Sequence, residues 1–324
     1  MSVGTTHAAN MVQLGMSAER RAIRHKHAGA SESPVIVGVS PFKRNAADLY
    51  YEKTHPLTEE KAPSAVMEAG LLLEAPILQW YEQQTGYKTV PDVYRIADDG
   101  RGLLSASHDA LVIGEPIGVE IKTSGLAKWT QAAEWGKPDT DEIPAYVAVQ
   151  CYHQMYVSNL QRVDIPVLLG DGRMFQLYHL DRDDENIAQL VKVVNEFWDN
   201  HIIPRIPPPL SECVPHMETL RRIQRIPDKL ASIPEDKVAH WLACKAQVGA
   251  AKQAADEAEA AIVASMGDAE GFRYGDRVHV WAVIERKGYT VAAANYRRWK
   301  QIKEHKGESY DFTEPAETGA GSTD

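Results

Sequence analysis

The stretch SASHDALVIGEPIGVEIKTSG, residues 105–125, decides the fold. Two alternating, apolar-rich runs meet at Gly114-Glu115-Pro116, which reads as a β-hairpin. Residues two apart on a strand share a face. Glu120 and Lys122 are therefore expected side by side, with Val119 and Ile121 turned into the core. Asp109 stands eleven residues before Glu120, on the other arm. Two carboxylates and one ammonium should thus meet at one sheet edge.

Mg²⁺ takes a few hard oxygen ligands and keeps several waters. Asp109 and Glu120, helped by the Ile121 backbone carbonyl, suit that role. Lys122 would orient or deprotonate a water and offset phosphate charge. A solvated strand face with a surface salt bridge fits the same short pattern, so the context must choose.

Working outward, PSAVMEAGLLLEAPILQWYEQQTG reads as a long helix from Pro63 to a stop at Gly86, kinked at Pro76. TVPDVYRI and GLLSASHDALVI are strands joined at a DDG turn, and IGVEIKTS is the next strand. A helix follows Pro144, then a hairpin around Asp171-Gly172, then the amphipathic DDENIAQLVKVVNEFWDNHI. The order of helix, three strands, helix, two strands, helix predicts an α/β fold over residues 20–202, with a mixed central β-sheet flanked by helices. Asn45 caps a short earlier helix.

Residues 1–19 and 306–324 read as disordered. Pro204, Pro207, Pro208 and Pro209 mark residues 203–217 as a linker. Residues 218–305 form an appendage: an Ala-rich helix or helical hairpin, a strand pair and a basic last helix.

The formal net charge is −10, which argues against unspecific coating of DNA. Its distribution is uneven. Residues 51–200 hold 12 Lys/Arg against 24 Asp/Glu, whereas residues 1–50 hold 6 against 3. Any nucleic-acid contact is thus expected to be local, through the basic N-terminal segment and a metal. No run approaches the ~18 apolar residues of a membrane span, and the N-terminus is not expected to be a signal peptide. Cys151, Cys213 and Cys244 lie far apart without a CxxC. They read as ordinary buried thiols of a cytoplasmic protein rather than as a disulfide framework or a zinc site.

Four further motifs surround the hairpin in order. RHKHAGASES sets Arg24 seven residues before Ser31, GLLLEAP presents Glu74, SHDAL presents Ser107 and Asp109, and YVAVQCYHQMYV presents Gln150. Together with the D…ExK pair, these resemble the YqaJ-type phage recombinases of the lambda exonuclease group, within the PD-(D/E)xK nuclease superfamily with its restriction-endonuclease-like core. The resemblance covers about residues 20–200. It departs in having His108 and Ala110 around the Asp, Ala75 after Glu74, and Tyr152 where the helix motif carries its second Gln.

The resemblance implies a catalytic set of Asp109, Glu120, Lys122, Glu74 and Gln150. The metal would sit on Asp109, Glu120 and the Ile121 carbonyl, with Glu74 reaching it from its helix. Arg24, Ser31 and Ser107 match positions that bind a 5′-phosphate, where an Arg fork and Ser hydroxyls suit the chemistry. The implied activity is a Mg²⁺-dependent 5′-to-3′ exonuclease on double-stranded DNA ends, with Mn²⁺ as a substitute. It leaves 3′ single-stranded tails for a phage annealing protein. By resemblance, the enzyme is a homotrimer. A PD-(D/E)xK endonuclease or resolvase, and a non-catalytic DNA-end-binding module on the same fold, stand as alternatives.

Other residues carry blander expectations. His25 and His27 read as a basic patch, His108 as structural, and Gln150 as either a core amide or a site residue. Trp129 and Trp135 either cap the core or ride a loop over DNA.

Overall fold

In a computed structural model of the chain, residues 23–57, 64–125, 129–227, 229–283 and 311–313 are described. They fall into two units, one running to Gln224 and the other starting at Arg225.

The first unit is built on a seven-stranded mixed sheet. Its strands are β1 (Ala28–Gly29), β2 (Thr89–Ile96), β3 (Leu104–Val112), β4 (Ile117–Val119), β5 (Lys122–Ser124), β6 (Arg162–Leu169) and β7 (Met174–Asp181). β2 runs antiparallel along β3, while β1 pairs parallel with the start of β3 and β4 antiparallel with its end. β6 carries β7 antiparallel along its length, and β4 and β5 pair parallel with successive stretches of it. The helices are α1 (Ser33–Ile36), α2 (Ala46–Thr54), α3 (Ala65–Thr85), α4 (Ala145–Ser158), α5 (Asp184–Phe197) and α6 (Met217–Arg222). The mixed sheet flanked by helices is the expected fold class, and the expected element order is found. One strand differs: the continuous run expected over residues 117–124 breaks at Glu120-Ile121.

Local chemistry sets the helix ends. The Ser64 hydroxyl accepts the Met67 N–H at the start of α3, and Gly86, at φ +74°, stops it in the left-handed conformation that glycine adopts cheaply. α3 continues through Pro76 as helix; the expected start at Pro63 lies outside the described residues. Asn45 caps α2 by accepting the Asp48 N–H at 2.9 Å, and Asp183 caps α5.

α3 buries Ile77 and Tyr81 against Ala110, Val112 and Val119. α4 sets Val147, Cys151 and Met155 on Val163, Ile165 and Val167 of β6. Deep in this unit, Tyr81 donates its hydroxyl to Asp164 of β6 at 2.7 Å. His153 of α4 joins the Ser33 hydroxyl (2.6 Å) to the Ser105 carbonyl (3.2 Å).

The Pro-rich segment is docked onto α2. Tyr50 donates to the Arg205 carbonyl and Asn45 to the Val214 carbonyl, both at 2.8 Å. Buried Asp48 accepts the backbone N–H of His216 at 2.8 Å and pairs with its ring at 2.6 Å.

The second unit contains β8 (Lys229–Ala231), the single 32-residue helix α7 (Glu235–Met266), the hairpin β9 (Gly271–Tyr274) and β10 (Arg277–Val280), and β11 (Asp311–Thr313), which pairs parallel with β8. The expected basic last helix lies outside the described residues, as does the N-terminal tail. No described helix is long and apolar enough to cross a membrane.

Two outcomes are expected. Tyr81→Phe removes a hydrogen bond to a buried carboxylate and should cost about 2 kcal/mol in urea unfolding. Burial holds the His153 imidazole down to about 4 from 6.5. The unfolded chain then takes up that proton first on acidification, so the contribution is complete above about pH 6.5 and shrinks down to about pH 4. Unfolding midpoints should fall between neutral pH and about pH 5, less steeply in His153→Gln.

Candidate active site

The break in the strand is the centre of the site. β3 and β4 pair at Ala110↔Val119 and Leu111↔Gly118. At the next step the N–H of Ile121 turns to the Asp109 carboxylate, at 2.7 Å, instead of to a β3 carbonyl. The N–H of Glu120 meanwhile stays with β6, bonding the Asp164 carbonyl at 3.0 Å. The chain bends there and continues as β5 on β6 alone. Asp109, Glu120 and Lys122 are thereby gathered at one point.

Glu120 is only 3% exposed, and each of its oxygens is engaged. Gln150 donates to Oε1 and Gln154 to Oε2, each at 2.6 Å. Lys122 forms an ion pair with Oε1 and donates to the Gln150 amide oxygen at 3.3 Å. Gln154 also reaches the Ser107 carbonyl at 3.3 Å. A second amide of α4, Gln154, thus reaches Glu120, while Tyr152, where the motif carries its second Gln, packs among apolar residues. A spacing of four residues from Gln150 puts Gln154 on the same helix face; that spacing was the signal to read.

Three carboxylates crowd one ammonium. Burial, and then the charge of Glu120, push the Asp109 carboxyl well above its usual range. Glu74 on α3 is half-buried and shifted upward for the same two reasons. Burial works against the Lys122 cation, but Glu120 and Asp109 outweigh it and hold the ammonium charged. The pocket thus crowds three carboxyl groups, all hard oxygen donors, around one ammonium, and Asp109 and Glu74 hold their protons more tightly than usual. Among the described residues, no three His, Cys, Asp or Glu side chains close into a complete metal cage; Mg²⁺ commonly binds through one or two carboxylates and water.

A cleft of about 350 Å³ opens onto this group, lined by Glu74, Ile121, Lys122 and Gln150 with Ser31 and Tyr146. Ser31 accepts from the Arg24 guanidinium at 3.0 Å. Arg24 and Ser31 are thus brought together, and Ser31 shares the cleft with Glu74 and Lys122. Ser107 is not brought into the cleft; its hydroxyl is buried and makes no hydrogen bond.

The remaining expectations divide. His25 and His27 bond the backbone carbonyls of Glu52 (2.8 Å) and Gly102 (3.0 Å) rather than forming an open patch. His108 packs inward and bonds Ser158 at 2.7 Å, a structural role. Trp135 is buried on Tyr178, with ring centroids 5.0 Å apart, and so caps the core; the Trp129 side chain lies outside the described residues. Of the three thiols expected to be buried, only Cys151 is; Cys213 is half-buried and Cys244 exposed. Cys244 lies on α7, a helix with no buried residue.

Comparison with known proteins bears on the same segment. YqaJ of Bacillus subtilis strain 168, itself uncharacterized, is 25% identical over 268 residues, covering 81% of this chain and 82% of that one. An alkaline exonuclease from Laribacter hongkongensis is 22% identical, with a TM-score of 0.44 over 55% of this chain and 89% of that one. A phage-related exonuclease from Haemophilus somnus is 14% identical, with a TM-score of 0.39 over 55% and 96%. Residues 21–161 match the YqaJ-like viral recombinase domain. That match spans Arg24, Ser31, Glu74, the bent strand and both glutamines, and this part of the chain is similar to a YqaJ-like viral recombinase domain.

Proposed function

We propose that this protein is a Mg²⁺-dependent exonuclease that degrades double-stranded DNA from 5′-phosphorylated ends, 5′ to 3′, leaving 3′ single-stranded tails. One observation carries the reading. Lys122 and Ile121 of the strand break and Glu74 of α3 line one cleft with Ser31, Lys122 is paired with the buried Glu120 behind it, and Arg24 is held on Ser31. The match to the YqaJ-like viral recombinase domain supports it.

Asp109 and Glu120 would hold the divalent cation, with the Ile121 carbonyl and Glu74 beside them, and Mn²⁺ would substitute. When bound, the cation would polarise the phosphoryl oxygen and stabilise the leaving alkoxide. The crowded carboxyl oxygens of the pocket suit such a cation. Lys122 brings an ammonium to the scissile phosphate and orients the attacking water. Gln150 and Gln154 fix the Glu120 carboxylate so that it need not reorganise as charge develops. Arg24 and the Ser31 hydroxyl grip the terminal phosphate, placing the next phosphodiester at the carboxylates. That grip favours end-directed action over the internal cutting of an endonuclease or resolvase.

The test uses linear duplex DNA with and without a 5′-phosphate, and a closed circular duplex, in Mg²⁺ and in chelator. Degradation of phosphorylated linear ends in Mg²⁺ is expected, with Lys122→Ala slower by roughly a hundredfold or more. Cut circles would overturn exonuclease action. Intact substrates, with ends bound equally well in chelator, would favour the binding-module alternative. Gln154→Ala should raise the Mg²⁺ concentration for half-maximal rate roughly tenfold, since ligand-orienting partners are worth about that much; Gln154→Glu should be worse, setting a like charge against Glu120.

A further inference from the structure

The mechanism above leaves one deeply buried ion pair without a role. Lys53, in the last turn of α2, has a side chain only 5% exposed, and its ammonium lies 2.9 Å from Glu32. The same nitrogen donates to the backbone carbonyls of Arg24 (3.0 Å) and His27 (2.8 Å). An ammonium has three N–H donors, and all three are spent on residues 24–32. The Trp198 ring lies 5.5 Å away on the apolar side. The second oxygen of Glu32 accepts the Gly29 N–H at 3.0 Å. The preceding residue of α2 joins in, since the Glu52 carbonyl meets the His25 ring at 2.8 Å.

Every one of these ties lands on the segment that carries Arg24 and Ser31. That segment has little regular structure of its own. β1 pairs with β3 at only two positions, and a short 3₁₀ turn over Ala30–Glu32 follows. The Arg24 guanidinium also crosses Gly29 closely, where a Cβ would stand 3.4 Å from it. Burying two charges costs several kcal/mol per ion, and apolar replacements of such pairs are often as stable. Stability alone is therefore a poor reason for this pair, whereas fixing a backbone against three directional donors is a good one.

We propose that Lys53 and Glu32 are positioning residues for the Arg24–Ser31 grip, and so determinants of the preference for phosphorylated DNA ends. This inference rests on the reading of that grip given above. α2 then acts as the fixed anvil from which the N-terminal segment is held over the cleft.

The readout is the ratio of initial rates on one duplex carrying either a 5′-phosphate or a 5′-hydroxyl. Lys53→Met with Glu32→Gln removes both charges together and leaves no unpaired buried ion. In this double variant the ratio should fall about tenfold, the equivalent of ~1.4 kcal/mol, with the hydroxyl-end rate within about twofold of wild type. Arg24→Ala added to it should lower the ratio little further, because residues acting through one another are non-additive. An unchanged ratio in a folded double variant overturns the proposal. So does a parallel fall on both substrates, which marks a merely structural role. Should the double variant melt below assay temperature, Glu32→Gln alone is decisive, with a reduced ratio expected and an unchanged one overturning. A wild type indifferent to the phosphate overturns the grip itself, and that result is visible before any variant is made.

Discussion

The hydrogen bond from the Ile121 N–H to the Asp109 carboxylate governs this molecule. A sheet normally satisfies each backbone donor from the neighbouring strand. Here a side chain takes that place, so β3 and the bent strand part company one residue beyond Val119 without stranding a buried N–H. The Glu120 N–H remains on β6, and β5 follows β6 alone. The parting makes the cleft, and the group that stabilises it is one of the carboxylates the cleft needs.

The second constraint is charge. Placing Asp109, Glu120 and Glu74 around one lysine is unfavourable in a low-dielectric interior. The protein manages it with directed partners: two glutamines from one helix face and an ammonium two residues along the chain. Both glutamines come from α4, whose other face is anchored on β6, so core packing fixes the acidic site. A neighbouring point of the fold uses a similar device. Asp164, beside Glu120 on β6, is held by Tyr81 and by Arg162 at 3.1 Å. Through these ties α3 is locked to the sheet at the height where it presents Glu74.

Much of this was legible from local pattern. Alternation around Gly114 gave the hairpin, and two-residue spacing put Glu120 beside Lys122. The motif order pointed to Arg24, Ser31, Glu74 and Gln150. The rest was not legible, for a common reason: it depends on which backbone group a side chain captures. Nothing in IGVEIKTS announces that Ile121 will abandon its neighbour strand. Gln154 hid three residues beyond Cys151 in an apolar run, and Lys53 and Glu32 look like surface charges until α2 closes over residues 24–32. The prolines after Ile203 gave a linker by composition, yet an irregular segment can dock tightly when a buried carboxylate and side-chain donors await it. Cys244 was misjudged because its helix, though rich in alanine, buries none of its residues.

That docking bears on what counts as the smallest self-sufficient piece of this protein. The stretch that matches the YqaJ-like viral recombinase domain ends at Gln161, one residue before β6 begins. Cut there, β5 would have no strand beside it, and Tyr81 would face no Asp164. Extending the piece to Phe197 restores the sheet but leaves the Asp48 carboxylate, fully buried on α2, without its His216 partner. The matched segment and the physical module therefore have different borders. The first ends at Gln161, while the second runs to about Gln224, whose N–H donates to the Pro56 carbonyl at 2.8 Å. A piece cut to the first border would lack the strands and the proline-rich clasp that complete it.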